Sequence, residues 1–359
     1  MSYFIFLMVI FVGFVSSKYN YIISRYMFFT LSLFLFFISA FRVGVKPDYY
    51  NYEYFYNLID SGYDSYKYGL YGVEKSFLLI SDFFSSFEYG FRYTLLFYSA
   101  VTLLFIYRSY SKLTPEPILA LAVYYSFFFI IRDMGVIRAG LAYAILMFSL
   151  VFYVDRKVIK FSIAVLIASL FHQSSVVFFI LIPFYFSEFL TERLKLILAF
   201  SILFYFSGIA QFVTEYFSSS SGYVGVKFQD YSKESDLNYA LGFFDINNIK
   251  NVVLSMIGLY VHRKTTPKGI VFNVVLLVFV LGTCVRIIFL DFSSISGRLS
   301  SIFMSIEPVY ISILVGMLSR RRNRYLGYVL VFIYCVAMLY LGIDKYETFN
   351  YRSIMEDLI

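Results

Sequence analysis

Apolar runs of helical length, separated by short polar connections, recur from one end of the chain to the other. Twelve segments fit the pattern, starting near Tyr3, Tyr26, Phe91, Pro117, Val136, Val158, Ser174, Leu194, Ile249, Ile270, Ser300 and Tyr325. They are too long and too continuously apolar for the alternating strands of about ten residues that build a membrane barrel. The pattern predicts an all-α polytopic membrane protein with about twelve transmembrane helices in a single transmembrane domain over residues 1–359. Several runs fall short of the roughly twenty apolar residues that cross hydrocarbon untilted. Two longer connections, about residues 42–90 and 214–248, interrupt the series, and no internal repeat is visible. The first run has no basic segment ahead of it and no small-residue cleavage site behind it, so it is expected to be a retained helix.

Composition agrees with the pattern. Of 359 residues, 60% are hydrophobic and 15% charged, with a mean hydropathy of +0.74; soluble domains carry about 25% charged residues. Cys284 and Cys335 both fall inside apolar runs and are expected to pack rather than pair. The formal net charge is +7, and its distribution is what matters. If the N-terminus is outside, six connections face the cytoplasm: "SSKYNYIISR", "RSYSKLTPE", "DRKVIK", "SEFLTERLK", "HRKTTPKG" and "SRRRNR". They hold 16 of the 30 Lys and Arg, against four acids (Glu116, Asp155, Glu188, Glu192). The other side then receives both termini, both long connections and 19 of the 23 acids. This is the positive-inside distribution. The basic excess orients the protein, and no nucleic-acid partner is expected.

Five arginines break that distribution. Arg42, Arg132, Arg138, Arg286 and Arg298 sit at or inside the outer ends of apolar runs. Arg132 and Arg138 bracket one turn, with Asp133 as the nearby acid. A guanidinium at the edge of hydrocarbon must be paired or face a wet cavity, and it is well shaped to grip phosphate bidentately. The bland alternatives are snorkelling to lipid headgroups or pairing with Asp48, Asp133 and Glu307. Five arginines without a matching set of acids in the spans favour an anionic ligand. Glu307 is the deepest acid in any run, and Pro308 after it should loosen the helix there; it serves either as an internal ion-pair partner or as part of a site. His172, in "SLFHQSSV", falls at the outer boundary between two runs, where a neutral imidazole can accept a hydroxyl proton; plain packing is the alternative. No metal-ligand motif such as D-x-D, H-x-x-x-H or C-x-x-C occurs, so neither a metal nor a cofactor is expected. The outer stretch "RVGVKPDYYNYEYFYNLIDSGYDSYKYGLYG" is dense in tyrosine, which suits a membrane interface and also sugar faces.

In this order the segments resemble the EpsG/Wzy-type polysaccharide (O-antigen) polymerases. "FRVGVKPDYYNYEYFYN" is similar to their R-x-G-x-(G)-D-x-x-x-Y-x-x-x-F element. "RDMGVIRAGLAYAILMFSL" resembles their Q-x-x-R-x-x-[LIV]-A segment, and "ASLFHQSSVVFFILIPFYF" their F-H-x-[ST]-[AS] turn followed by an apolar helix. "SISGRLSSIFMSIEPVYISIL" matches the arginine that opens a late helix. Two departures stand out: Val45-Lys46-Pro47 reshapes the spacing from Gly44 to Asp48, and Asp133 replaces a polar amide.

The resemblance implies a GT-C-like enzyme of the bacterial inner membrane with its active site facing the periplasm. It would join repeat units carried on polyprenyl pyrophosphate, with polyprenyl pyrophosphate leaving. Arg132, Arg138 and Arg298, with Arg42 and Arg286, would hold pyrophosphate. His172 would position or deprotonate the acceptor, with Asp48 or Glu307 as alternatives. The lipid bilayer, a chain-length regulator and a flippase are the implied partners. Competing readings are a lipid-linked oligosaccharide flippase or transporter, an O-antigen ligase and a non-enzymatic scaffold. The transporter reading expects a midplane site between repeats, whereas here charge concentrates at one face.

Overall fold

The structure is a computed structural model that describes residues 2–18, 20–44, 48–62, 73–186, 192–219, 225–226, 229, 239–264, 269–318, 321–345 and 352–353. Val45-Lys46-Pro47, residues 63–72 of the tyrosine-rich stretch and much of the 214–248 connection lie outside the described residues.

Among the described residues the first helices are α1 (Ser2–Ser17), α2 (Tyr21–Ala40), α3 (Tyr49–Asp60), α4 (Lys75–Ser85) and α5 (Gly90–Leu113). Next come α6 (Pro117–Arg132), α7 (Ile137–Val154), α8 (Val158–Phe171) and α9 (Gln173–Phe186). They are followed by α10 (Leu194–Phe206), α11 (Ile209–Ser218), α12 (Ile246–Lys264) and α13 (Ile270–Ile288). The last are α14 (Ser293–Met304), α15 (Glu307–Gly316) and α16 (Arg321–Lys345). One short antiparallel pair sets Arg42 opposite Ser353 and Val43 opposite Arg352.

Local chemistry explains the boundaries. Asn20 accepts from the backbone N–H groups of Ile22 and Ile23 at 3.0 and 3.1 Å, a side-chain cap that starts α2 ahead of the expected Tyr26. Pro117 opens α6 at the one place where a missing N–H is harmless. Inside α6, residues Tyr124–Phe129 widen into a π-turn, a form that recurs at functional sites. The expected run from Ser174 begins as a tight 3₁₀ segment, Gln173–Ile180. Gly208 takes a left-handed φ of 70° that a side chain would resist, and the chain bends by 72° between α10 and α11. The run expected from Ser300 starts earlier, at Ser293, and breaks by 47° between α14 and α15.

Two compact units partition the chain: residues 1–176 with 311–359, and residues 177–310. In the first, α7 packs against α5 and α8, α5 also packs against α2, and α1 lies on α2 and α6. The connection at 42–90 is more than a loop. Its helix α3 buries Tyr49, Tyr52, Tyr56 and Ile59, a spacing of three and four residues that makes one helical face, and it packs on α4, which packs on α5. In the second unit α13 is apolar on every side from Val274 to Gly282, as a helix enclosed by others must be; α10, α12 and α14 surround it. Cys284 and Cys335 are buried and not joined in a disulfide, as expected.

Among the described residues, five helices (α2, α5, α7, α13 and α16) are long and apolar enough to cross a membrane by length and composition, and up to seven spans result if α10–α11 and α14–α15 each count as one. The helices α1, α6, α8 and α9 are apolar but shorter. Helix α2 buries Phe28, Leu31 and Leu35 yet exposes Phe29, Leu33, Phe34 and Phe37. Such an outward apolar face is at home in hydrocarbon, where the helix satisfies its own backbone. The chain is an all-α, multi-pass membrane protein.

Candidate functional site

His172 caps the end of α8. Its N–H donates to the Ala168 carbonyl at 3.0 Å, and its own carbonyl accepts from Ser175 N–H at 3.0 Å, so the turn into α9 is closed on both sides. Its ring meets Glu74, which stands just before α4. Glu74 Oε1 lies 3.2 Å from His172 Nδ1, and Oε2 forms a close ion pair with Arg138 Nη1 near the start of α7. Ser76 Oγ donates to the Leu170 carbonyl at 2.6 Å, fastening the first turn of α4 to the last turn of α8. The Arg138 guanidinium stands 5.5 Å from the Tyr52 ring and 6.0 Å from Phe77. Arg138 Nε is buried and has no acceptor among the described residues. Burial pushes the Glu74 carboxyl up, but the His172 hydrogen bond and the Arg138 charge outweigh it and hold it below the ordinary carboxylate range.

Arg132 lies at the end of α6 and is 6% exposed. Its guanidinium is sandwiched between Phe128 at 4.5 Å and Tyr143 at 4.7 Å, and each such desolvated contact contributes up to about 2 kcal/mol. Tyr143 meets the His172 ring edge-on, centroids 5.7 Å apart. Asp133 is buried beside Arg132 and accepts a short hydrogen bond from the Tyr124 hydroxyl. Arg42, 1% exposed, donates from Nη1 to the Ser39 carbonyl, and Arg42 and Arg132 both act on the Asp133 charge. A continuous line of neighbours thus runs from Asp133 through Arg132, Tyr143, His172 and Glu74 to Arg138 and Tyr52. Asp48 stands at the start of α3, with Asn51 Nδ2 at 3.5 Å from its Oδ1.

The second unit carries its own polar cluster. Lys250 Nζ bridges both carboxylate oxygens of Glu307 at 2.9 and 3.0 Å, and Glu307 is 2% exposed. Arg286 Nε donates to Asn248 Oδ1 at 2.6 Å, and its Nη2 lies 3.9 Å from Asp245 Oδ1. Asn248 in turn donates to the Gly242 carbonyl at 2.8 Å. Arg298 is exposed on α14.

Arg42, Arg132, Arg138 and His172 therefore share the first unit, while Arg286, Arg298 and Glu307 belong to the second. Three of the outer arginines stand beside acids, and those acids come from the connections rather than from the spans: Glu74 for Arg138, Asp133 for Arg132, as the turn between Arg132 and Arg138 suggests, and Asp245 for Arg286. A scan of the spans passes over Glu74, Asp245 and Lys250. The available signal was an acid next to the amphipathic segment that follows the tyrosine-rich stretch.

The chain is 28% identical to the amylovoran biosynthesis protein AmsC of Erwinia amylovora over 267 residues, which is 73% of this chain and 69% of that protein. No solved structure matches it significantly. The family model for the EpsG family matches residues 25–353, a stretch that includes both polar clusters. On that match, the chain belongs to the EpsG family.

Proposed function

We infer that this protein is a polysaccharide polymerase, a glycosyltransferase that joins repeat units carried on polyprenyl pyrophosphate at the periplasmic face of the bacterial inner membrane. Family membership and the amylovoran-biosynthesis relative support the activity class. The observation that carries the site is the contact of Arg132 and Arg138 with one histidine, through Tyr143 and Glu74 respectively. Two cations and a base within one cluster are what the reaction asks for. The leaving pyrophosphate needs fixed positive charge as its bond breaks, and the attacking hydroxyl needs a proton acceptor.

In this reading Arg132 and Arg138 bind pyrophosphate, with Arg42 behind them supporting the electrostatics. A phosphate oxygen would also satisfy Arg138 Nε. His172 accepts the acceptor's proton, while Asp48 and Glu307 are the alternative bases. Displacement is in-line, inverts the donor's anomeric carbon and needs no metal. The polypeptide crosses the membrane about twelve times with both termini outside, in a GT-C-like arrangement.

The test supplies purified protein in bilayers with a synthetic lipid-linked repeat unit and a chelator. A ladder of products on a gel is the expected result, and Arg132→Ala, Arg138→Ala and His172→Ala should each lower it by about 100-fold or more, the scale of losing one charge-stabilising donor. Transfer only to lipid A core would make the protein a ligase. Translocation across vesicles without turnover would make it a flippase. Full activity in the three variants would overturn the site while leaving the activity intact.

A further inference from the structure

Glu74 has no part in the reaction as outlined, yet its contacts are specific. Its two oxygens go to different partners, Oε2 to Arg138 and Oε1 to His172 Nδ1. A carboxylate held ionised by a guanidinium can only accept hydrogen bonds. The hydrogen it shares with the ring must therefore sit on Nδ1, which leaves the imidazole lone pair on Nε2.

We propose that Glu74 is the positioning residue of the site, fixing His172 in its Nδ1–H form and orienting the ring so that Nε2 receives the acceptor's proton. The catalytic half of this rests on the polymerase reading; the tautomer does not. As the acceptor hydroxyl attacks, its proton passes to Nε2. The new C–O bond forms at the donor's anomeric carbon while the bond from that carbon to the phosphate oxygen breaks, and the electron pair leaves on polyprenyl pyrophosphate. The imidazolium keeps its Nδ1–H on Glu74, whose charge stabilises it.

The surroundings hold this geometry in place. The Ser76–Leu170 hydrogen bond ties the segment bearing Glu74 to the helix bearing His172. The backbone of His172 is fixed on both sides, and Tyr143 closes the edge of the ring. The titratable groups around the Glu74–His172–Arg138 cluster are Tyr52 from α3, Tyr98 from α5 and Tyr143 from α7, along with Arg138 itself. Of these four, Arg138 carries the charge at neutral pH, so the carboxylate is already neutralised on the side away from the ring.

Two measurements on the full chain in bilayers test the proposal. The first is ¹⁵N NMR of the imidazole in the His262→Gln protein, which leaves His172 as the single ring. Near neutral pH the expected spectrum is that of the Nδ1–H form, and Glu74→Gln should shift it toward the Nε2–H form. An Nε2–H ring with Glu74 in place overturns the proposal, whatever the protein's activity. The second is the ladder assay. Glu74→Gln should lower kcat by about 10- to 100-fold, the scale of losing a histidine's outer partner, with KM little changed. Glu74→Asp should recover part of the rate. A loss of rate with the Nδ1–H form unchanged in Glu74→Gln would show a merely structural role and overturn the proposal. Absence of any ladder from the wild type, with the Nδ1–H form present, would sink the polymerase reading and leave the histidine's tautomer assigned.

Discussion

Glu307 shows how a buried charge can be tolerated when a cation from a distant part of the chain meets it. Its carboxylate is 2% exposed and bridged through both oxygens by Lys250, whose side chain retains 19% exposure. Removing the cation alone leaves an uncompensated buried charge, a change that costs about 3–5 kcal/mol. Lys250→Met should therefore lower the unfolding temperature sharply, whereas Lys250→Met combined with Glu307→Met should restore most of it, since a buried pair contributes little net stability over packed apolar side chains. The same double variant decides the residue's role. If it is stably folded and still builds the ladder, Glu307 is an ion-pair partner and not a base. If it folds but makes no ladder, Glu307 joins the chemistry. Sequence alone left both options open because Lys250 is distant in the chain and lies outside the motif around Pro308.

At the scale of elements, the apolar helices were legible and their shape was not. Each expected apolar run coincides with a helix, because period and length are properties of the run itself. The breaks are different. The π-turn in α6 and the bends after α10 and α14 depend on what each helix packs against, and a hydropathy profile averages over them. The two helices inside the first long connection were missed for a related reason: the face of α3 is buried through tyrosines, which also read as interfacial residues. Gly258 in α12 marks a close approach of this kind. A Cβ there would fall 2.7 Å from Leu276 Cδ1 and 2.9 Å from Tyr310 Cζ. Tyr310 is held by its hydroxyl on the Leu254 carbonyl at 2.7 Å and stacks on Phe279 at 4.4 Å, so it cannot easily yield. Gly258→Ala should destabilise the protein by about 1–3 kcal/mol, the usual range for overpacking. Adding Tyr310→Phe, which removes the hydroxyl nearest the new methyl, should recover part of the loss in a thermal-unfolding assay. No recovery would mean that the helix contact resists the methyl for another reason.

Across the whole molecule, the charge pattern and the polar clusters bear on each other. The site reading drew on arginines that stand on the wrong side of a positive-inside distribution, so it depends on which face each connection occupies. The types and order of those arginines were legible in the sequence. Asp133, next in sequence to Arg132, was legible as well, whereas Glu74 and Asp245 were not, since packing brings them to Arg138 and Arg286 across long stretches of chain. If the N-terminus is outside, Ser86, after α4, faces the periplasm with His172, and Ser111, near the end of α5, faces the cytoplasm. Both residues are exposed, and the native Cys284 and Cys335 are buried, so a single introduced cysteine reports its own side with little background. In intact cells with a permeable outer membrane, a membrane-impermeant maleimide should label Ser86→Cys within minutes and leave Ser111→Cys unlabelled until the inner membrane is opened. The reverse pattern would put His172, Glu74 and Arg138 on the cytoplasmic side, where Lys and Arg in the neighbouring loops would then be the exception to explain. It would remove the basis for a periplasmic reaction while leaving the Glu74–His172 contact unchanged, because that contact is set by packing within one unit and not by the membrane's orientation.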